Sequence, residues 1–193
     1  MITRRRVVPD PSGVVLNLLV AGAVEPGSTV LDMGAGLRGS YQPALAKVCS
    51  ELTLLDAHQI YLEQNETVRL GLPNVKTVWG EAPGVLGALD KFDYVLGIDF
   101  LEHMERDIAL ATVEAAKKIA SSKLILFVPE GSHPQHEDYY GMGGDHWQTH
   151  RSVWWAKDLA ALGFDVMILE GYHALWREPT DDQNALWCVW RNS

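Results

Sequence analysis

The chain has 193 residues and a net charge of −9, and its 47 % hydrophobic and 21 % charged residues are typical of a globular protein rather than a disordered one. The acidic charge disfavours nucleic acid as a partner, because a phosphate backbone requires a basic surface. Cys49 and Cys188 are far apart in the sequence and form no metal or disulfide motif, which predicts reduced thiols in a cytoplasmic protein.

The predicted elements begin with an N-terminal arm, residues 1–13, in which Arg4, Arg5 and Arg6 form a basic cluster that we expect to be solvated. An apolar run at 14–24 predicts a helix, and it is too short for the roughly 20 residues of a membrane span, so no membrane contact is expected. The next predicted strands are 29–33, 52–55, 75–79, 92–98 and 123–128, and the helices between them are 41–50, 59–70 and 106–120. This alternation predicts an α/β fold, with a Rossmann-like doubly wound and mostly parallel sheet, in a single domain spanning 1–193.

The C-terminal third departs from this alternation. A predicted helix at 152–162 precedes two strands, 164–169 and 185–190, that have no helix between them. Strands joined in this way should be antiparallel neighbours, so we expect the sheet to end in a hairpin. The segment 130–151 has no clear periodicity but is rich in glycine, histidine and aromatic residues, which makes it a candidate active-site lid.

The first predicted strand leads into VLDMGAGLRGS, residues 30–40, where Gly34, Gly36 and Gly39 have the G-x-G-x-x-G spacing of a dinucleotide site. This spacing indicates only that backbone approaches a ligand closely. Asp32 lies two residues before the first glycine, at a position that is usually apolar in dinucleotide-binding strands. Asp56 ends the second strand, where a carboxylate can accept both hydroxyls of a ribose in an NAD site or in another adenosine site.

Four further segments extend this pattern along the chain. VLDMGAG, TLLDAH, VWGEA and FDYVLGIDFLEHM, in this order, resemble the motifs of class I S-adenosylmethionine-dependent methyltransferases, most closely the small-molecule type with a Glu-His pair after the fourth strand. The resemblance implies methyl transfer from the cofactor S-adenosylmethionine to a small-molecule acceptor, with O- or N-methylation favoured over C-methylation. The cofactor-binding residues that it implies are Asp32, Gly34, Ala35, Gly36, Asp56, Ala57, Glu81, Ala82 and Asp99.

The resemblance also implies a role for each of these positions. The glycine turn would hold the methionine portion of the cofactor, with the Asp32 carboxylate near its ammonium group. Asp56 would accept the ribose hydroxyls, and Ala57 would face the adenine. Glu81 and Ala82, after the third strand, would border the adenine edge. Asp99, after the fourth strand, would close the site below the sulfonium. Arg38 occupies a position where the family often has a glycine, and it either binds the cofactor carboxylate or faces solvent.

Three histidines are candidates for the general base that a hydroxyl or an acidic carbon needs when it accepts a methyl group. His103 follows the fourth strand, where its alternative role is to orient the loop. His146 and His150 lie in GDHWQTHR within the candidate lid, beside aromatic residues that either line an acceptor pocket or pack on the sheet. The segment HPQHE, residues 133–137, suggests metal ligands, but a proline interrupts it and we expect surface histidines and no metal site.

Two alternatives to the methyltransferase hypothesis stay open. One is a nicotinamide-nucleotide-dependent oxidoreductase that uses Gly34, Gly36 and Gly39, and the other is a non-catalytic S-adenosylmethionine-binding protein. Asp99 is not followed by the Pro-Pro-Tyr or Pro-Pro-Phe run of enzymes that methylate amide or adenine nitrogens. With the acidic charge, this favours a small-molecule acceptor, whose identity stays open together with the oligomeric state.

Overall fold

A computed structural model describes residues 1–7, 13–174 and 183–192 of the chain. Its strands are β1 (Ile2–Arg6), β2 (Thr29–Met33), β3 (Glu51–Asp56), β4 (Val75–Trp79), β5 (Phe92–Ile98), β6 (Ala120–Pro129), β7 (Asp165–Glu170) and β8 (Ala185–Arg191). These eight strands form one sheet in the order β1-β7-β8-β6-β5-β2-β3-β4. All neighbouring pairs are parallel except those of β8 with β6 and β7. The predicted mostly parallel sheet with an antiparallel C-terminal hairpin is confirmed.

Helices cover both faces of the sheet. They are α1 (Val14–Ala23), α2 (Gln42–Val48), α3 (Gln59–Gln64), α4 (Arg106–Ile119), α5 (Asp145–Gln148) and α6 (Ala156–Ala161). One hydrophobic cluster includes Val113 of α4 and Leu159 of α6, and a second cluster includes Leu16 of α1 and Leu45 of α2. Within the described ranges, no helix is both long enough and apolar enough to cross a membrane.

The central strands β2 and β5 have the predicted bounds because both of their faces are buried. Val30 and Leu31 of β2 point to opposite faces and are both fully buried, one in each hydrophobic cluster. Tyr94 and Val95 of β5 are divided between the two clusters in the same way. Such strands are continuous apolar runs, which sequence reasoning detects readily.

The N-terminal segment forms a strand that was not predicted, although its arginine side chains are exposed as expected. Residues 2–6 form β1, which pairs in parallel with β7 from Ile2 opposite Val166 to Arg6 opposite Glu170. All five side chains of β1 are exposed, so the strand has no apolar alternation that the sequence could reveal. Arginines on an edge strand also discourage pairing with further chains. Residues 8–12 of the predicted arm lie outside the described residues.

The helices predicted at 59–70 and 152–162 are each about half as long in the structure. The helix predicted at 59–70 ends at Gln64, because the Asn65 side-chain oxygen accepts hydrogen bonds from the backbone N–H groups of Thr67 and Val68. The helix predicted at 152–162 begins only at Ala156. Before it, Trp154 is fully buried and its backbone forms a bridge with Gly131, so this part is extended rather than helical.

Candidate active site

Two adjoining cavities open at the carboxyl ends of β2, β3, β4 and β5. This is the edge where ligands bind in open α/β sheets, beside the point where the strand order reverses. The smaller cavity has a volume of about 350 Å³ and the larger one about 640 Å³. Residues that line both cavities are Gly34, Gly36, Asp99, His103 and Gln148.

The turn after β2 is built from glycines for two separate reasons. Gly34 and Gly36 have φ angles of +69° and +59°, in the left-handed region that favours glycine. A Cβ added to Gly34 would also lie 2.4 Å from Cδ2 of Phe100. The turn is held against β3 by the N–H groups of Gly34 and Ala35, which donate to the carbonyl of Leu55 over 2.8 and 3.0 Å. The backbone is thereby fixed close to the cavity floor.

Asp32 supports this turn from beneath and lines neither cavity. Its carboxylate is fully buried and accepts hydrogen bonds from the Tyr41 hydroxyl, at 3.0 and 3.1 Å, and from Gln42 Nε2, at 2.7 Å. Burial raises the pKa of Asp32 to about 7, partly offset by those hydrogen bonds. The contact of Asp32 with an ammonium group of the cofactor stays a prediction.

Gln42 and Asn65 complete a buried network that sequence reasoning did not identify. Besides Asp32, Gln42 Nε2 donates to the Ala35 carbonyl at 2.8 Å, and its Oε1 accepts from the Gly39 N–H at 3.2 Å. Asn65 Nδ2 donates to Gln42 Oε1 at 3.0 Å and to the Gly36 carbonyl at 2.8 Å. Because every one of these polar groups has a partner, the network fixes the conformation of the glycine turn.

The smaller cavity contains the residues that were predicted to border an adenosine. Asp56 lines it together with Ala57, Glu81 and Ala82. Two backbone N–H groups orient the Asp56 carboxylate: that of Gly36 donates to Oδ2 and that of His58 to Oδ1, each over 2.8 Å. Burial raises the pKa of Asp56, and the hydrogen bonds act in the opposite direction. A carboxylate has about four acceptor positions, so it retains capacity for a ligand.

Asp99 lies at the junction of the two cavities, at the end of β5. Its φ of +47° places it in the left-handed region, which aspartate tolerates better than most residues. Its N–H donates to the Phe127 carbonyl over 2.8 Å, which holds this conformation against β6. Desolvation by the surrounding protein raises the pKa of Asp99 to about 7, although the side chain is accessible from the cavities.

The structure brings two of the three predicted histidines together. The rings of His103 and His150 are nearly perpendicular with centroids 4.7 Å apart, and both line the larger cavity. Burial, followed by the charge of His150, lowers the pKa of His103 to about 4, and burial also lowers the pKa of His150. Both are therefore neutral at pH 7. His146 is exposed on α5 and lines the smaller cavity, so it is not part of this pair.

Glu102 stands beside this histidine pair, in the short 3-10 helix Leu101–His103, and sequence reasoning gave it no role. Its side chain is buried and lines the larger cavity. Burial, followed by the negative charge of Asp99, raises the pKa of Glu102 well above its usual range. The Glu-His dipeptide thus places a buried acid and a buried imidazole on the same cavity wall.

Asp138 organises the segment 130–151, hereafter the 130–151 loop, over the cavities. Its carboxylate accepts hydrogen bonds from the N–H groups of Tyr140, Met142 and Gly144 and from the Tyr61 hydroxyl of α3, the last over 2.5 Å. Although burial acts to raise it, these hydrogen bonds lower the pKa of Asp138 to about 2. The contact with Tyr61 attaches the loop to the rest of the site.

Arg38 contacts this loop and a neighbouring acid. It forms an ion pair with Glu66 at 3.7 Å, and its guanidinium lies 5.9 Å from the centroid of the Tyr140 ring. It also lines the larger cavity. Both groups of the ion pair are mostly exposed, so the pair itself adds little stability.

Neither a protein-family model nor a curated protein sequence matches the chain. Its fold does match solved structures. Magnesium protoporphyrin IX methyltransferase from Synechocystis PCC 6803 with bound SAH matches with a TM-score of 0.62 and 19 % identity, over 93 % of this chain and 80 % of that chain. The DhpI-SAM-HEP complex matches with a TM-score of 0.61 and 16 % identity, over 94 % and 87 %. An rRNA methylase from Streptococcus thermophilus matches with a TM-score of 0.59 and 13 % identity, over 93 % and 95 %. The chain therefore has the fold of class I S-adenosylmethionine-dependent methyltransferases.

Proposed function

We propose that the chain transfers a methyl group from S-adenosylmethionine to an oxygen or nitrogen of a small-molecule acceptor. One observation carries this proposal: a cavity bordered by the predicted adenosine-binding residues meets a larger cavity at the switch point of the sheet. Gly34, Asp99 and His103 line both cavities, so a group located at their junction is reachable from either side. This arrangement suits a reaction between two ligands.

The residues of the smaller cavity fit an adenosyl ligand. Its volume of about 350 Å³ lies within the range of roughly 300–1,000 Å³ for small-molecule sites. Asp56 would accept the ribose hydroxyls with the lone pairs that its two backbone contacts leave available. Ala57, Glu81 and Ala82 would border the adenine, and the turn at Gly34 would lie against the methionine portion. Asp32 would act through Gln42 and the turn.

S-adenosylmethionine, when bound, supplies an electrophilic methyl group on a sulfonium, and the transfer leaves a neutral thioether. The protein has to align the acceptor with that methyl group and keep the acceptor lone pair available. His103 and His150, neutral at pH 7 and on the wall of the larger cavity, are the side chains available to orient the acceptor or to take its proton. His146 is exposed and lines the other cavity, and its role as a base stays a prediction.

The larger cavity and the charge of the chain favour a small acceptor over RNA. Its volume of about 640 Å³ accommodates a drug-sized molecule. The net charge of −9 opposes binding to a phosphate backbone, even though one protein of the same fold is an rRNA methylase. A cytoplasmic location, inferred from the two widely spaced cysteines, belongs to the same proposal.

A calorimetric titration with S-adenosylhomocysteine tests the proposal, with NADH and NADPH titrated in parallel. We expect micromolar binding of S-adenosylhomocysteine alone. Asp56→Ala should weaken it at least tenfold, about 1.4 kcal/mol, whereas Asp90→Ala, at an exposed aspartate outside both cavities, should leave it unchanged. Binding of a nicotinamide nucleotide instead would support the oxidoreductase alternative. Binding of S-adenosylhomocysteine without turnover on any acceptor would support the non-catalytic one.

A further inference from the structure

We propose that Glu102, His103 and His150 bind a divalent transition-metal ion on the wall of the larger cavity. Each residue offers one potential ligand atom, and these three atoms lie within 4.8 Å of one another. All three residues line the larger cavity. No metal site was expected from the sequence, which drew attention to residues 133–137, because His150 is separated from the Glu-His pair by more than forty residues.

Two buried polar atoms in this cluster have no hydrogen-bond partner among the described residues. They are Oε2 of Glu102, a residue that is 2 % exposed, and Nδ1 of His103. A buried polar atom without a partner destabilises the folded protein, because it has lost its hydrogen bonds to water. A cation bound between them would supply the missing partner of the carboxylate and would use an imidazole lone pair. The cluster therefore has unmet bonding capacity of the kind that metal ligands have before the metal binds.

The orientation of His150 suits a metal ligand. Its Nδ1 hydrogen-bonds to the backbone carbonyl of His133, so Nδ1 carries the proton and Nε2 retains its lone pair. Metal-binding histidines commonly donate their second ring nitrogen in this way, which fixes the tautomer and the plane of the ring.

The backbone holds the three ligands in one place. The carbonyl of Glu102 accepts hydrogen bonds from the N–H groups of Arg151 and Ser152, over 2.7 and 3.1 Å. The Arg151 guanidinium donates to the carbonyl of His103 over 2.8 Å. The end of the 130–151 loop is therefore attached to the 3-10 helix Leu101–His103, so His150 stays beside the other two ligands.

The ligand set selects the class of metal. Two imidazoles and one carboxylate suit zinc, iron or cobalt, whereas magnesium and calcium prefer oxygen ligands. Zinc–nitrogen bonds of about 2.0–2.1 Å place tetrahedral ligand atoms about 3.3 Å apart, so small side-chain rotations that close the 4.8 Å separation complete the site. Three protein ligands leave at least one position open toward the cavity, as in catalytic rather than structural sites.

This site, if the proposed methyl transfer holds, defines the acceptor as an oxygen ligand of the metal, such as a phenol, an enol or a hydroxy acid. A metal ion lowers the pKa of a hydroxyl bound to it, so the proton leaves to solvent without a protein base. The oxygen lone pair then forms the bond to the methyl carbon, and the carbon–sulfur bond breaks with its electron pair remaining on sulfur. His103 and His150 act here as ligands and not as bases.

The test is a titration of chelator-treated protein with Co²⁺, followed by its visible absorption and by calorimetry, with Zn²⁺ as competitor. We expect one equivalent to bind at micromolar concentration and Zn²⁺ to displace it. Glu102→Gln and His150→Ala should each weaken binding at least tenfold, whereas His136→Ala, at an exposed histidine of the same loop that lines neither cavity, should not. Thermal unfolding identifies any variant that fails to fold. If Glu102→Gln does not fold, the comparison of His150→Ala with His136→Ala tests the site.

Absence of stoichiometric binding to the wild-type protein would overturn the metal site, as would an equal loss in His136→Ala and His150→Ala. A parallel titration with S-adenosylhomocysteine separates this result from the proposed function. Metal binding without S-adenosylhomocysteine binding would support the metal site and refute the proposed methyl transfer. S-adenosylhomocysteine binding without metal binding would refute the metal site alone.

Discussion

Replacing Gly34 and Gly36 by alanine, one at a time, separates the two reasons why the turn after β2 contains glycine. Both residues have positive φ, which costs a residue with a Cβ about 1–2 kcal/mol. The Cβ of Gly36→Ala meets nothing nearer than the Gly34 carbonyl oxygen at 4.0 Å, so that cost stands alone. The Cβ of Gly34→Ala would lie 2.4 Å from the Phe100 ring, and overpacking adds about 1–3 kcal/mol. We therefore expect losses of about 1–2 kcal/mol for Gly36→Ala and about 2–5 kcal/mol for Gly34→Ala.

The Phe100 ring also lies against Gly97, where an added Cβ would be 3.2 Å from Cδ1, so Gly97 limits its movement on that side. Urea unfolding of the single variants, of Phe100→Ala and of the double variant Gly34→Ala with Phe100→Ala measures the coupling. The clash predicts that the alanine at position 34 costs at least about 1 kcal/mol less when the ring is absent. Equal losses for Gly34→Ala and Gly36→Ala, or strict additivity in the double variant, would refute this explanation of the turn.

Two further predictions concern side-chain contacts around the site. Tyr61→Phe removes the hydroxyl that binds Asp138. Hydrogen exchange at the Gly144 amide, which donates to Asp138, should then become at least several-fold faster, while the global free energy of unfolding changes little. Unchanged exchange would mean that Tyr61 does not hold the loop. The pKa of Asp32 is about 7 in the folded state and 3.8 in the unfolded state, so the folded protein binds this proton more tightly. The resulting stabilisation is complete at low pH and is lost as the pH rises from 4 to 7. Over that range the free energy of unfolding of Asp32→Asn should rise relative to wild type by about 1.4 kcal/mol per pH unit, and parallel pH profiles of the two proteins would show that the carboxyl titrates normally.

The sequence predicts those strands whose side chains are buried on both faces of the sheet. β2 and β5 are apolar on consecutive residues because helices cover both of their faces. β8 pairs antiparallel with β7, as expected from a sequence that predicts no helix between these two strands. β1 could not be predicted, since all its side chains are exposed and only its backbone pairs with β7.

The candidate site divides in a similar way. Asp56, Glu81 and Asp99 were predictable because parallel strands place their carboxyl ends at one edge of the sheet, whereas Ala57 was implied only by the family resemblance. Gln42 and Asn65 were not, because a polar residue in or after a helix is usually exposed and only tertiary packing decides that these two are buried. The contact between Tyr61 and Asp138 joins residues 77 positions apart, which no local pattern indicates.

A crystal structure of the protein with S-adenosylhomocysteine tests the central claim most directly. We expect the ribose hydroxyls to contact the Asp56 carboxylate, the adenine to lie beside Ala57 and Ala82, and the sulfur to lie at the junction of the two cavities, near Asp99. A nucleoside bound outside the smaller cavity, or bound within it with no contact to Asp56, would contradict the placement of the methyl donor.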